Sequence, residues 1–209
     1  PNVAVQNLYG QTENTPAATS LLDDAALTKI GSVGKPLAQT EVKLVNADGE
    51  EVALGEVGEI CVRGPQVMKG YLRNPEETSN TIRNGWLHSG DLGRFDDEGY
   101  LYIVDRKKDL IIRGGENIYP IEIEEVLYQL PEILEAAVVG IPHEIYGEVP
   151  KAFVVLKQGQ VLKEADILNY MKMQLAKYKV PAEIEFITSL PRNASGKVLK
   201  HTLRPMQNV

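Results

Sequence analysis

The 209-residue chain holds a single cysteine, Cys61, one tryptophan and three phenylalanines. One cysteine excludes an internal disulfide and any zinc site built on several thiolates, and it fits a reducing, cytoplasmic setting. Basic residues do not predominate: 22 Lys and Arg stand against 29 Asp and Glu, a formal net charge of −7. That balance argues against nucleic acid or an anionic membrane as the main partner. A basic stripe with interleaved aromatics is also missing, and the net charge leaves room for a local basic patch that binds phosphates. No apolar run is long enough to cross a bilayer, so no integral membrane segment is expected. The first residues lack the regions of a signal peptide, and the closing "MQNV" does not match the peroxisomal address. His88, His143 and His201 have no histidine or cysteine partner at ligand spacing, so none reads as a metal ligand.

What is present divides in two. The first half reads as short strands and turns. Thr40 to Val45 alternates, with Val42 and Leu44 on one face, before the turn residues Asp48-Gly49. Val57 to Arg63 alternates again, with Ile60 and Val62 opposite Glu59, Cys61 and Arg63. Phe95 to Tyr100 reads as a hairpin turn, and the whole as a small antiparallel barrel or sheet. Beyond Asp105-Arg106-Lys107-Lys108-Asp109 helices and strands alternate. Pro120 can open a helix and Pro131 stop it, with Ile123, Val126, Leu127 and Leu130 on one face. Strands are expected over Leu134 to Val139, Ala152 to Leu156 and Glu183 to Ile187. A helix is expected over Lys163 to Tyr178, burying Ile167, Leu168, Met171 and Leu175.

Four stretches bear chemistry. In Asn7-Leu8-Tyr9-Gly10-Gln11-Thr12-Glu13 a ring, a glycine, a hydroxyl and a carboxylate lie close together. A nucleotide site can use each, though a turn followed by a capped segment reads the same way. In Gly85-Trp86-Leu87-His88-Ser89-Gly90-Asp91 the aspartate, in a loop between strand patterns, can hold a ribose diol or satisfy nearby N–H groups. Asp105 to Asp109, followed by Arg113-Gly114-Gly115-Glu116-Asn117, reads as a solvated charge cluster or as a hinge with a mobile loop. Finally, "LPRNASGKVLK" puts Lys197 after Gly196. It fails as a phosphate loop, since Pro191 and Val198 stand where that pattern needs Gly and Ser or Thr.

Taken together, "NLYGQTE", "GEVGEICVRGPQVMKGY", "GWLHSGDLG", "DRKKDLIIRGGENIYPIEIE" and "PRNASGKVLK" resemble consecutive motifs of the adenylate-forming superfamily. That family comprises acyl- and aryl-CoA ligases, firefly luciferase and peptide-synthetase adenylation domains. The form "GGENIYPIEIE" resembles the CoA ligases and luciferases; because the superfamily's commonest CoA ligases use fatty acids, the resemblance is taken as closest to a fatty-acid–CoA ligase. The resemblance implies a mixed α/β fold: residues 1–107 as the strand-rich end of a large AMP-binding domain, and 108–209 as a small mobile α+β domain. It further implies ATP and Mg2+ as cofactors, coenzyme A as co-substrate and a small-molecule carboxylic acid as substrate. Tyr9 would stack on adenine beside Gly10, Thr12 would contact phosphate, and Glu13 would bind magnesium. Asp91 would hold the ribose hydroxyls, with Arg106 near ribose or phosphate. Lys108 would be the hinge. Gly114, Gly115 and Glu116 would line the pantetheine path, and Lys197 would join the acyl carboxylate and the α-phosphate.

One departure is mild: Ser89 replaces the family's usual threonine. A larger one is that the family's Ser/Thr/Gly-rich phosphate loop is not in this chain. The expectation is therefore an upstream part of the same protein, an active parent enzyme, and a piece that alone is inactive or nearly so. Two other readings stay in play: an adenylation domain that loads a carrier protein, and a non-catalytic binding fragment.

Overall fold

The computed structural model describes residues 6–204. The chain separates into two compact units, Pro1–Lys107 and Lys108–Val209.

In the first unit the strands are β1 (Asn7–Tyr9), β2 (Thr19–Leu21), β3 (Ser32–Pro36), β4 (Glu41–Val45), β5 (Gly58–Arg63), β6 (Ile82–Arg83), β7 (Trp86–Phe95) and β8 (Leu101–Arg106). Two short helices, α1 (Asp23–Ala26) and α2 (Pro75–Thr81), interrupt them. The strands run in the order β1-β2-β3-β8-β7-β5-β4, with β6 on β7, and every pairing is antiparallel. It is an open path, a sheet and not a closed barrel. Its core gathers Ala18, Leu44, Ile60, Val62, Leu87 and Leu101. The alternation read in β5 describes only half of it. Glu59 and Cys61, opposite the apolar face, are also buried. The strand is interior, between β4 and β7, so both its faces are covered.

The segment read as a loop around Asp91 is the middle of the ten-residue strand β7. An irregularity permits this. Glu59 pairs with Leu92 and Cys61 with His88, so Ser89, Gly90 and Asp91 bow out of the β5 ladder. A bulge of this kind re-aims side chains while the strand continues.

The second unit contains β9 (Ile111–Arg113), β10 (Glu116–Ile118), α3 (Pro120–Tyr128), β11 (Ile133–His143), β12 (Gly147–Leu156), α4 (Glu164–Gln174) and β13 (Glu183–Phe186). Its sheet runs β10-β9-β12-β11, with β13 parallel to β12. Helices α3 and α4 bury Ile123, Val126, Leu127, Ile167 and Met171 against Ile111, Val138 and Val154. Each such aliphatic side chain contributes about 1.5–3 kcal/mol of transfer free energy. Pro120 opens α3 as expected, but the helix ends at Tyr128, before Pro131 could stop it. Likewise α4 ends at Gln174, because Leu175 turns to an extended backbone (φ −120°, ψ 152°). Leu175 and Tyr178 still pack on the same core from outside the helix.

Candidate functional site

In the first unit the sequence-predicted residues converge. Tyr9 ends β1, and its hydroxyl donates to Asp91 Oδ2 at 2.8 Å across 82 residues of sequence. Asp91 is paired in register with Arg106 at the end of β8, and Arg106 Nε lies 3.5 Å from Asp91 Oδ1. The carboxylate thus meets both side chains. Its main-chain N–H is held by Ser89 Oγ at 3.0 Å, so the serine at the family's threonine position still supplies a hydroxyl. Burial first, and then the negative charge of Asp91, push the Tyr9 phenol well above its ordinary value. It therefore stays a donor at neutral pH. A carboxylate has about four acceptor sites. Asp91 can thus keep these partners and still accept from a ligand diol.

Gly10 needs its lack of a side chain for a reason internal to the fold. A Cβ there would stand 1.9 Å from the Pro16 carbonyl oxygen and 2.7 Å from Ala17 Cα. Thr12 and Glu13 follow in a single turn of 3-10 helix, Thr12–Asn14. Thr12 is exposed and Glu13 half-buried. Tyr71 donates to Glu13 Oε1 at 2.9 Å, and the Met68 N–H donates to the Glu13 carbonyl at 2.8 Å. Glu13, Gln11, Glu59, Tyr71, His88 and Ser89 are among the residues lining a cleft of about 310 Å³. A carboxylate at an open cleft, with one oxygen already oriented, is a hard oxygen donor of the kind magnesium takes. The residues present fit that ion.

A second polar chain lies beside the cleft and was not foreseen in the sequence. Glu59 Oε2 accepts from Lys107 Nζ at 2.9 Å and lies 3.1 Å from His88 Nδ1. Cys61 Sγ is 3.4 Å from the same His88 nitrogen. Burial alone would raise the Glu59 carboxyl, but hydrogen bonds from Lys107 and His88 outweigh it and hold it below the usual carboxylate value. Cys, His and Glu in contact suggest a nucleophile relay, and two facts exclude it. Both partners meet one ring nitrogen, whereas a relay uses the two nitrogens separately. The Cys61 thiol is also fully buried and pushed up to about 11, by burial and then by Glu59, so it is not thiolate at neutral pH.

In the second unit the predicted residues sit on two turns. Gly114 and Gly115 form the two-residue link of the β9–β10 hairpin, at φ 59° and 92°. Two consecutive positive φ values are the demand of a type I′ turn, which Gly-Gly meets without strain. The Gly114 N–H at this tip donates to the Tyr146 carbonyl at 2.8 Å. Glu116 opens β10 and is exposed. Lys197 lies on the other turn. The Asn193 side chain accepts from the N–H groups of Ser195 and Lys197, and the Asn193 N–H donates back to the Lys197 carbonyl. Gly196, at φ 84°, donates its N–H to the Asn193 carbonyl at 3.0 Å and closes this loop. The Lys197 side chain is exposed. At the unit boundary Lys107 pairs with Glu59, while the Lys108 carbonyl accepts from Arg204 at 3.2 Å.

Models of the AMP-binding enzyme and of the AMP-binding enzyme C-terminal domain match residues 1–72 and 122–197. The chain belongs to the adenylate-forming AMP-binding enzymes. It is 47% identical, over 97% of its length, to the 2-succinylbenzoate–CoA ligase of Geobacillus kaustophilus, and covers 41% of that protein. Its fold matches o-succinylbenzoate CoA synthetase from Bacillus subtilis in complex with the acyl-adenylate intermediate. There the TM-score is 0.90 at 43% identity, covering 98% of this chain and 42% of that one. A second structure of that enzyme, in complex with ATP and magnesium ion, matches at a TM-score of 0.88 and 44% identity, covering 96% and 41%. The chain thus spans about two fifths of the length of the relatives it matches.

Proposed function

We propose that this chain is the C-terminal part of an AMP-forming acid–CoA ligase whose acid is 2-succinylbenzoate. The expected fatty acid gives way here: the relatives are named for an aromatic keto acid, and nothing in them supports a long alkyl chain. The Tyr9–Asp91–Arg106 cluster carries the reading, on a chain that follows those ligases over nearly its whole length. An aromatic face, a carboxylate and a guanidinium in one place suit a nucleoside: Tyr9 for the base, Asp91 for the ribose diol, Arg106 for ribose or phosphate.

In the first step the acid's carboxylate attacks the α-phosphorus of ATP and the bond to pyrophosphate breaks. Negative charge gathers on phosphorus, and Lys197 is assigned to meet it together with the acid's oxygen. Thr12 contacts phosphate. Glu13 would hold Mg2+, which supplies charge neutralisation on the phosphates when bound. In the second step the coenzyme A thiolate attacks the acyl carbonyl and AMP leaves, with Gly114, Gly115 and Glu116 along the thiol's path. The two steps need different groups at one adenylate, which we assign to rotation about Lys108. The contacts at the boundary support that position. Lys107 is tied to the first unit through Glu59, and Lys108 to the second through Arg204.

The test uses the full-length enzyme. ATP–pyrophosphate exchange is expected with 2-succinylbenzoate and not with a sixteen-carbon (~C16) fatty acid, followed by a thioester on free coenzyme A. Exchange with the fatty acid alone, or acyl transfer only to a carrier protein, would overturn the reading.

A further inference from the structure

The segment "GEVGEICVRGPQVMKGY" is the one motif to which the resemblance gave no chemistry, and it grips Glu13 twice. The Met68 N–H donates to the Glu13 carbonyl, and the Tyr71 hydroxyl to Glu13 Oε1 across 58 residues of sequence. Tyr71 is itself held from behind. Its N–H donates to Thr78 Oγ1 at 2.9 Å, and its carbonyl accepts from the Asn74 N–H at 3.2 Å. Thr78 Oγ1 in turn donates to the Asn74 carbonyl at 2.8 Å. Asn74 caps α2, accepting from the Glu77 N–H at 3.1 Å, and Pro75 starts the helix. The turn before Tyr71 is fitted to this helix, because a Cβ on Gly70 would meet Thr78 Cγ2 at 2.7 Å. A capped helix, a threonine and a tyrosine thus form one chain of contacts ending on a carboxylate oxygen. Among the described residues, Glu13 Oε2 has no hydrogen-bond partner.

We propose that Tyr71 is a positioning residue for the divalent cation of the bound nucleotide. It fixes Oε1 of Glu13 and leaves Oε2 to take the metal. Magnesium demands near-ideal octahedral geometry and tolerates few carboxylates, so a freely rotating glutamate would hold it poorly. Groups that orient a metal ligand typically matter by 10–100-fold in affinity. The inference rests on Glu13 as the cation ligand, and the experiment separates the two claims.

Mn2+ serves as the probe, with ATP and no acid, so that nothing turns over. Free Mn2+ is read by electron paramagnetic resonance in the full-length enzyme and in Tyr71→Phe, Thr78→Val and Glu13→Gln. Tyr71→Phe is expected to weaken Mn2+ binding about tenfold or more. The Mg2+ needed for half-maximal pyrophosphate exchange should rise in parallel, with the rate recovering at saturating Mg2+. Thr78→Val, which loosens only the anchor, should shift both in the same direction by less. If Glu13→Gln weakens Mn2+ binding and both other variants leave it unchanged, Tyr71 is merely structural and the inference falls alone. If no variant weakens it, the assignment of Glu13 falls as well.

Discussion

The two units carry their candidate residues in different ways. In the first, most candidate side chains meet another: Tyr9 with Asp91, Asp91 with Arg106, Tyr71 with Glu13, and Glu59 with His88 and Lys107, while Thr12 is exposed. In the second, the Gly114-Gly115 tip and Lys197 stand exposed on turns, the first tied by a main-chain bond to Tyr146 and the second organised by the Asn193 side chain. The difference teaches a division of labour. A seat for a charged ligand must hold its dipoles in place before the ligand arrives, because reorganising them during the reaction would cost free energy. A group proposed to serve one step and leave for the next suits an exposed position on a rigid turn.

Substitutions can break this comparison. The largest effect is expected at Lys197, where Lys197→Ala should lower the adenylation half-reaction by roughly a hundredfold or more. The thioester step, started from synthetic acyl-adenylate, should change little. Equal losses in both half-reactions would show that Lys197 belongs to the seat. Lys108→Pro should damage the opposite half. Proline fixes φ near −65°, so rotation is restricted without touching a reacting group. With the adenylating arrangement trapped, pyrophosphate exchange should survive while thioester formation falls by about a hundredfold. A wild-type thioester rate would remove Lys108 as the hinge.

A smaller effect, on stability, tests the interlocking. Glu59→Gln should cost about 1–3 kcal/mol at pH 7, since it weakens a buried, charge-assisted pair. The sign with pH follows from the lowered carboxyl. Its stabilisation is complete above the unfolded value of about 4.3 and is lost as pH falls through the lower folded value. Denaturant midpoints of wild type and Glu59→Gln should therefore converge only in acid. A gap that persists undiminished at low pH would show that packing, not charge, is responsible. The least effect is expected at Cys61. A thiol reagent should leave it unmodified in the native chain at pH 7 and label it after unfolding, and rapid native labelling would contradict its burial.

How much of this was legible in the sequence depended on range. Helix α3 could be read because Pro120 and the Ile123, Val126, Leu127 stripe are local signals. The Thr40–Val45 alternation likewise found its strand, β4. Glu59 could not be read as buried. Alternation shows that a strand has two faces, not whether both are covered, and its partner Lys107 lies 48 residues away. Asp91 was visible as a polar residue after a glycine, but the strand around it exists only because β5 and β8 flank it. Tyr71 carried no signal toward Glu13 at all, since their meeting depends on helix α2 holding a turn in place. The Gly-Gly pair was legible as a loop, but its contact with Tyr146 was not, because that residue comes from a different hairpin.

The central claim is that the first unit binds the nucleotide and Lys197 acts on it. Calorimetric titration of ATP into the full-length enzyme, side by side in Asp91→Ala and Lys197→Ala, tests this most directly. Removing Asp91 strips Tyr9 and Arg106 of their shared partner and the ribose of its acceptor, so ATP affinity should fall about tenfold to a hundredfold, as for a lost hydrogen bond to a charged group. Lys197→Ala should leave that affinity within about twofold of wild type, because its interaction is made in the transition state. An unchanged affinity in folded Asp91→Ala, or a loss at Lys197 as large as that at Asp91, would contradict the account.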